Sequence, residues 1–406
     1  MSLKGIHSGH VLGTAALLAP IAGVFAPLLI APITIIAILG LLANHALHHG
    51  ARFHSDRPLI AAVGILLSWA VISLFWTIDT QDAVAKSAVV VGVGVISCAA
   101  LVLGPSLIEH ERHALRRYVL AGVAGGFLLL FFELATSGTI SQDVLGKAPI
   151  KYSPINMFNR TPSVLLLFVW PAVAILWRSW PLLAIGLIGL GFISAYLLPS
   201  TSASIAYTVG SVFFFIALSA PRGASLFLAL AIAFGILTAP FLPRVAPVLD
   251  PATIRENTSS QNASLIHRLD IWAFTIKKIE ERPLIGWGLN ASRAIPGGDE
   301  RYNLYGRDGR VIGQGDRLPL HPHNGALQIW LELGLPGAIC FAALFGLAAL
   351  RTVRQTERAG AAAALAAIAT AAPIWLLSFG IWQTWWLAML VLTAMLTTAL
   401  VAPNRS

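Results

Sequence analysis

Apolar residues fill this chain in long blocks separated by short polar breaks. A helix needs about 20 mostly apolar residues to cross the hydrocarbon of a bilayer. On that measure the blocks predict twelve spans, near 11–26, 28–46, 58–77, 83–103, 117–136, 163–178, 181–198, 202–219, 223–242, 334–350, 360–379 and 381–401. Residues 11–43 are too long for one helix and contain Pro20, Pro27 and Pro32, so they divide into the first two spans. The first block runs on into further apolar sequence without a small-residue cleavage site, and reads as a retained span rather than a removable signal. Two connections are longer than the rest, Ser137 to Pro162 and Pro243 to Pro322.

The longer connection has a pattern of its own. Leu265, Leu269, Trp272, Ile276 and Ile279 recur at helical spacing and predict an amphipathic helix over 264–281, ended by Pro283. Its apolar face would rest on the spans or at the membrane interface. Arg268 lies at the edge of that face. Before this helix, Asp250 to Asn262 reads as irregular. After it, Gly286 and Gly288 mark a tight turn, either plain or a phosphate cradle. The Gly-rich, charged stretch PGGDERYNLYGRDGRVIGQGDR reads as a flap or a solvated loop. HPHNGALQIWLELGLPG then predicts a helix from Asn324 onward, bent or broken between Glu332 and Gly337. The result is a short re-entrant or interfacial helix followed by a true span. The chain thus divides into 1–242 with nine spans, the loop 243–322 with amphipathic helices, and 323–406 with the motif helix and the last three spans.

Composition agrees with this pattern. The chain is 57% hydrophobic and 11% charged, against roughly a quarter charged in soluble domains. The expected fold class is therefore all-α and polytopic in a membrane, with about twelve helices and a large loop before the tenth. The net charge of +9 is no nucleic-acid footprint, because basic residues on membrane proteins serve topology first. Alternate connections hold Arg52 and Arg57; Arg112, Arg116 and Arg117; Arg178; Arg222; and Arg351, Arg354 and Arg358, with Lys4 and Arg405 near the ends. The positive-inside rule then places both termini in the cytoplasm and the long loop outside. That loop contains eleven of the 27 Lys and Arg residues. Cys98 and Cys340 sit inside apolar runs and read as fillers.

The candidate chemistry gathers at the outer end of the motif helix. His323 stands at a helix N-terminus, where the dipole disfavours its protonation, and a neutral imidazole accepts a proton from a hydroxyl. A capping or interface histidine is the alternative. Arginines suit a phosphate, because they stay charged and bind its oxygens two at a time. No HExxH and no GxSxG motif occurs. His321 and His323 could share a metal but lack an obvious third ligand. Glu332 would orient a neighbouring side chain or cap the break at Gly334. The Gly122, Gly125, Gly126 and Gly186, Gly189, Gly191 groups read as helix-packing sites.

His323-Asn324, Leu327, Glu332, Gly334 and Gly337, with the upstream HRLDIWAFTIKKIEERPLIGWGLN, resemble the bacterial O-antigen ligase and polymerase superfamily, and are most like the ligases. The resemblance implies a GT-C-like fold and a metal-independent, cofactor-free inverting glycosyltransferase of the bacterial inner membrane, working on the periplasmic face. The donor would be a glycan on undecaprenyl diphosphate. The acceptor would be lipid A-core for a ligase, or another glycan repeat for a polymerase. Carried onto this chain, His323 would be the general base and Arg268 would bind the donor diphosphate, while Asn324 and His321 join Arg160 as substrate-binding residues. The family often carries a further arginine at a later span, and the comparable stretch around Ser200–Ser204 has none. Arg160 is the candidate to supply that charge; the alternative is a snorkelling interface residue. A transporter or flippase for a lipid-linked glycan is the rival class, but transporters gather polar groups near the midplane and on internal repeats, and neither is evident here.

Overall fold

The computed structural model describes residues 8–48, 56–103, 107–148, 154–257, 263–306, 308–353 and 357–401. Lys4, Arg52, Arg354 and Arg405, and the part of the irregular stretch at 258–262, lie outside the described residues. Twelve apolar helices follow in the order the hydrophobic blocks predict. They are α1 (Ser8–Phe25), α2 (Ile30–His48), α3 (Arg57–Ile72), α4 (Thr80–Leu103), α5 (Glu109–Ala135), α6 (Thr161–Trp177), α7 (Pro181–Leu197), α8 (Thr201–Ser219), α9 (Pro221–Thr238), and after the long loop α13 (Gly325–Thr352), α14 (Arg358–Leu377) and α15 (Thr384–Val401). The loop holds the short α10 (Leu242–Val245) and α11 (Pro251–Asn257), then α12 (Ala263–Glu281) and the strands β1 (Arg301–Tyr305) and β2 (Val311–Asp316). The protein is an all-α polytopic membrane protein.

Among the described residues nine helices are long and apolar enough to span, and α6, α7 and α15 are shorter. The 17 residues of α6 reach about 26 Å at 1.5 Å per residue, short of a ~30 Å hydrocarbon core. Its burial explains why it is apolar all round: every residue from Thr161 to Val173 is enclosed by neighbouring helices. Lipid-facing positions are equally plain, with Leu128, Leu182, Phe227 and Phe234 exposed on the bundle surface. Gly122 and Gly126 admit α1 close to α5, and Gly191 admits the Tyr207 ring, whereas Gly125, Gly186 and Gly189 face open space and are not packing sites.

Side is set by contacts between connections. Arg178 pairs with Glu357, and Arg351 with Asp56, so arginine-bearing turns meet at one end of the bundle. The α3–α4 turn meets the long loop instead: Trp76 Nε1 donates to the Ile285 carbonyl and Thr77 Oγ1 to the Leu289 carbonyl.

The loop is more ordered than its composition predicts. The stretch expected to be irregular contains α11, tied by an Arg255–Asp270 ion pair of 2.8 Å to α12. The expected flap is an antiparallel hairpin whose register runs from Arg301–Asp316 to Tyr305–Val311. Helix α12 begins one residue before the predicted start, with Leu269, Ile276 and Ile279 buried. Leu265 is 40% exposed, not part of the buried face, and Ile266 is buried in its place.

Candidate active site

Helix α13 starts where Asn324 caps it, its side chain accepting from the Leu327 N–H at 3.1 Å. That bond commits the Asn324 oxygen to the backbone. The helix breaks at Gly334, whose φ of 63° and ψ of −159° suit only glycine. A break inside a bundle strands carbonyls that need donors. Here the Gly286–Gly288 turn supplies them. Trp287 N–H donates to the Leu331 carbonyl and Gly288 N–H to that of Glu332, both at 2.8 Å, while Leu335 N–H reaches back to Pro283. Trp69 Nε1 covers the Leu333 carbonyl. The turn is therefore a plug for the helix break. Its Trp287 and Gly288 N–H groups are occupied, so it is no phosphate cradle.

Glu332 lies fully buried beside the break and accepts four hydrogen bonds, from Asn290 N–H, Ser292 Oγ, Gln328 Nε2 and Trp382 Nε1. Gln328 in turn accepts from Ile381 N–H. One carboxylate thus holds together the loop at 290–292, the first half of α13 and the α14–α15 turn. It orients rather than caps: the break is closed by backbone, and the carboxylate fixes what surrounds it.

The histidines sit on this frame. Ser378, in the α14–α15 turn, presents its carbonyl 3.2 Å from His323 Nδ1. A carbonyl only accepts, so Nδ1 carries the proton and Nε2 keeps its lone pair. His323 adopts a φ of 53°, rare for a histidine. The strain is held by its own N–H, which donates at 3.1 Å to His321 Nδ1. That bond occupies a His321 lone pair a metal would need. Among the described residues no three His, Cys, Asp or Glu side chains are grouped to hold a metal ion. Burial lowers the His323 pKa, helped by the Arg268 and His267 charges and opposed by the Ser378 carbonyl. Burial, then the charges of His323, Arg293 and Arg268, push His321 down to about 3.

Arg268 reaches the site through α12. Trp272 Nε1 donates to the Pro322 carbonyl at 3.0 Å, pinning the helix to the histidine loop. Arg268 is one turn away on the same face. Asp270, the nearest carboxylate in sequence, is taken by Arg255 and Tyr302. Arg268 has no ion pair or hydrogen bond with any described residue, and burial lowers its pKa; a half-buried guanidinium in that state invites an anionic ligand. Arg160 is exposed at the start of α6, 5.8 Å over the Trp385 ring. Trp385 packs edge-on against Phe379, next to Ser378. Arg160 therefore stands at the rim, one aromatic layer from His323. Ser202, within the stretch that lacks the expected arginine, touches the Ser378 hydroxyl.

Residues 186–342 match the family model described as O-antigen ligase. The chain is also similar to proteins named "Putative polysaccharide ligase" in Rickettsia conorii, at 29% identity over 73% of this chain and 69% of the relative, and in Rickettsia bellii, at 28% over the same shares. The matched segment and these relatives together support the O-antigen ligase superfamily. The matched segment runs from α7 into α13 and includes Arg268, His321, His323 and Glu332; Arg160 and Ser378 lie outside it. Two further cations lie near this site, Arg293 and Lys86. Arg293 follows the Ser292 that Glu332 holds, and carries no motif. Lys86 does carry a signal, an ionisable residue inside a predicted span.

Proposed function

We propose that this protein is an inverting, metal-independent glycosyltransferase that moves an O-antigen glycan from undecaprenyl diphosphate to lipid A-core, acting as a ligase on the periplasmic face of a bacterial inner membrane, with both termini cytoplasmic. His323 Nε2 takes the proton of the acceptor hydroxyl as its oxygen attacks the anomeric carbon. The bond to the diphosphate breaks on the opposite face, inverting the configuration. Arg268 binds the departing diphosphate and stabilises the charge growing on it. The observation that carries this reading is an imidazole with its Nδ1 occupied and its Nε2 left as a base, whose charged form is disfavoured by burial, beside a guanidinium with no ion pair among the described residues.

The organism's lipopolysaccharide tests the subtype. Deletion of the gene is expected to remove all attached glycan on a gel, with restoration by the wild-type gene. Survival of a single attached repeat would instead identify a repeat-unit polymerase.

Two further outcomes follow from the arginine. Arg268→Lys keeps the charge but loses the two-pronged grip, and is expected to lower kcat/KM about 10–100-fold. The pH profile gives a separate sign. The base works when neutral, so the rate falls as pH drops through the His323 pKa, which lies below the ordinary value of about 6.5. Arg268 helps keep it there, so Arg268→Gln is expected to move the acid limb to higher pH, read from kcat/KM across pH 5–8.

A further inference from the structure

Helix α4 carries Lys86 on the face that points into the bundle. Ala83 and Val90, three before and four after it, are buried, and Lys86 itself is half-buried. The start of α4 lies on the loop side, because Thr77 just before it is bonded to Leu289. Six residues of helix place Lys86 about 9 Å beyond that start. A lysine there is costly unless something repays its desolvation.

No described residue does so by contact. Lys86 has no ion pair within 4.0 Å and no hydrogen bond among the described residues. The charges acting on it are those of Arg293, Glu332 and Asp82. Glu332 is already the acceptor of four hydrogen bonds. Asp82 is exposed at the first turn. Arg293 is a second cation, exposed and likewise without an ion pair among the described residues, on a 3-10 turn that Ser292 anchors to Glu332. Its charge also reaches His321. Lys86 on α4 and Arg293 on the loop are thus two cations close enough to act on one another, at the end of the bundle where the Thr77–Leu289 bond joins α4 to the loop, and the carboxylate nearest both, Glu332, is already held by four donors.

We propose that Lys86 and Arg293 form a second anion-binding station, separate from Arg268, that holds a phosphate of a lipid-linked substrate. It rests on the glycan-transfer reading for the source of the phosphate, which is either the diphosphate of the donor or a phosphate carried by the acceptor lipid. Lysine meets it as a point charge from within the membrane, and Arg293 closes it from the loop. The cost of burying Lys86 is the counterpart of that affinity.

Full-length protein in lipid nanodiscs tests this by binding alone. Farnesyl diphosphate serves as the donor-like probe, and phosphorylated lipid A, with its dephosphorylated form as control, as the acceptor-like one. Lys86→Met and Arg293→Gln are each expected to weaken at least one phosphorylated probe about tenfold, and Lys86→Arg to retain binding. The probe that weakens names the source. Lys86→Met is also expected to leave Tm unchanged or raise it, because a buried charge is replaced by an apolar chain. Wild-type affinity of both variants for both probes overturns the proposal, as does a fall in Tm of Lys86→Met with binding intact. This binding readout is independent of glycan transfer. A wild-type protein that binds these probes but transfers nothing would reject the ligase reading while sustaining the station.

Discussion

His323→Ala is expected to lower glycan transfer by about 10²–10⁴-fold, the usual contribution of a positioned general base, while the protein accumulates in the membrane as before. The size follows from the site. Nε2 is the only ring nitrogen left free, because Nδ1 is engaged with the Ser378 carbonyl. The alanine also has to keep a φ of 53°, which costs a non-glycine residue about 1–2 kcal/mol. His323→Asn separates the two effects. Asparagine visits this conformation readily, and the backbone bond to His321 is kept, so its folding should match wild type while its transfer stays low. Normal glycosylated lipopolysaccharide in either variant would reject the base assignment.

Glu332→Ala is expected to be the most destabilising single change at the site, by about 3–6 kcal/mol, from several buried donors at ~1–3 kcal/mol each left without an acceptor and partly relaxed. The donors are Asn290 N–H, Ser292 Oγ, Gln328 Nε2 and Trp382 Nε1. Glu332→Gln retains one acceptor oxygen but sets an NH₂ group against some of these donors, so it should fall between alanine and wild type. Unfolding midpoints in detergent would check the ranking. An alanine variant as stable as wild type would show that the carboxylate is not the tie between loop, α13 and the α14–α15 turn. Because that turn carries Ser378, loss of the tie should also release His323 from its fixed tautomer and lower transfer in whatever protein still folds.

Much of the molecule was legible in order of residues. The twelve apolar blocks, the Pro283 stop of α12, the Asn324 start of α13 and its break near Gly334 all depend on neighbours a few positions apart. His323 and Arg268 were legible as motif residues. The role of Glu332 was not. It rests on partners up to 50 residues away, and a lone glutamate in an apolar run reads the same whether it caps, orients or titrates. The glycine turn was ambiguous for a related reason: positive φ is visible in the choice of residue, but what its N–H groups face is not.

The hairpin at β1–β2 shows the limit of composition. A Gly-rich charged stretch reads as loop, yet His267 Nε2 bonds to the Asp316 carbonyl and the Tyr302 hydroxyl to Asp270, docking the strands on α12. Hydrogen bonds from outside the segment dock it as a strand pair. In the same way α6 is apolar all round because it is surrounded by protein, a condition no count of its own residues contains.

The sequence by itself determined that this chain is a bundle of membrane helices with a basic loop and a histidine at the mouth of a broken helix, because helix periodicity, chain length and bond-breaking residues act locally. Only the tertiary structure decided which nitrogen of that histidine is free, which cations have no ion pair among the described residues and which glycines seal the break. Those are properties of groups brought together across the bundle, where desolvation and hydrogen bonding are set by distance in space rather than along the chain.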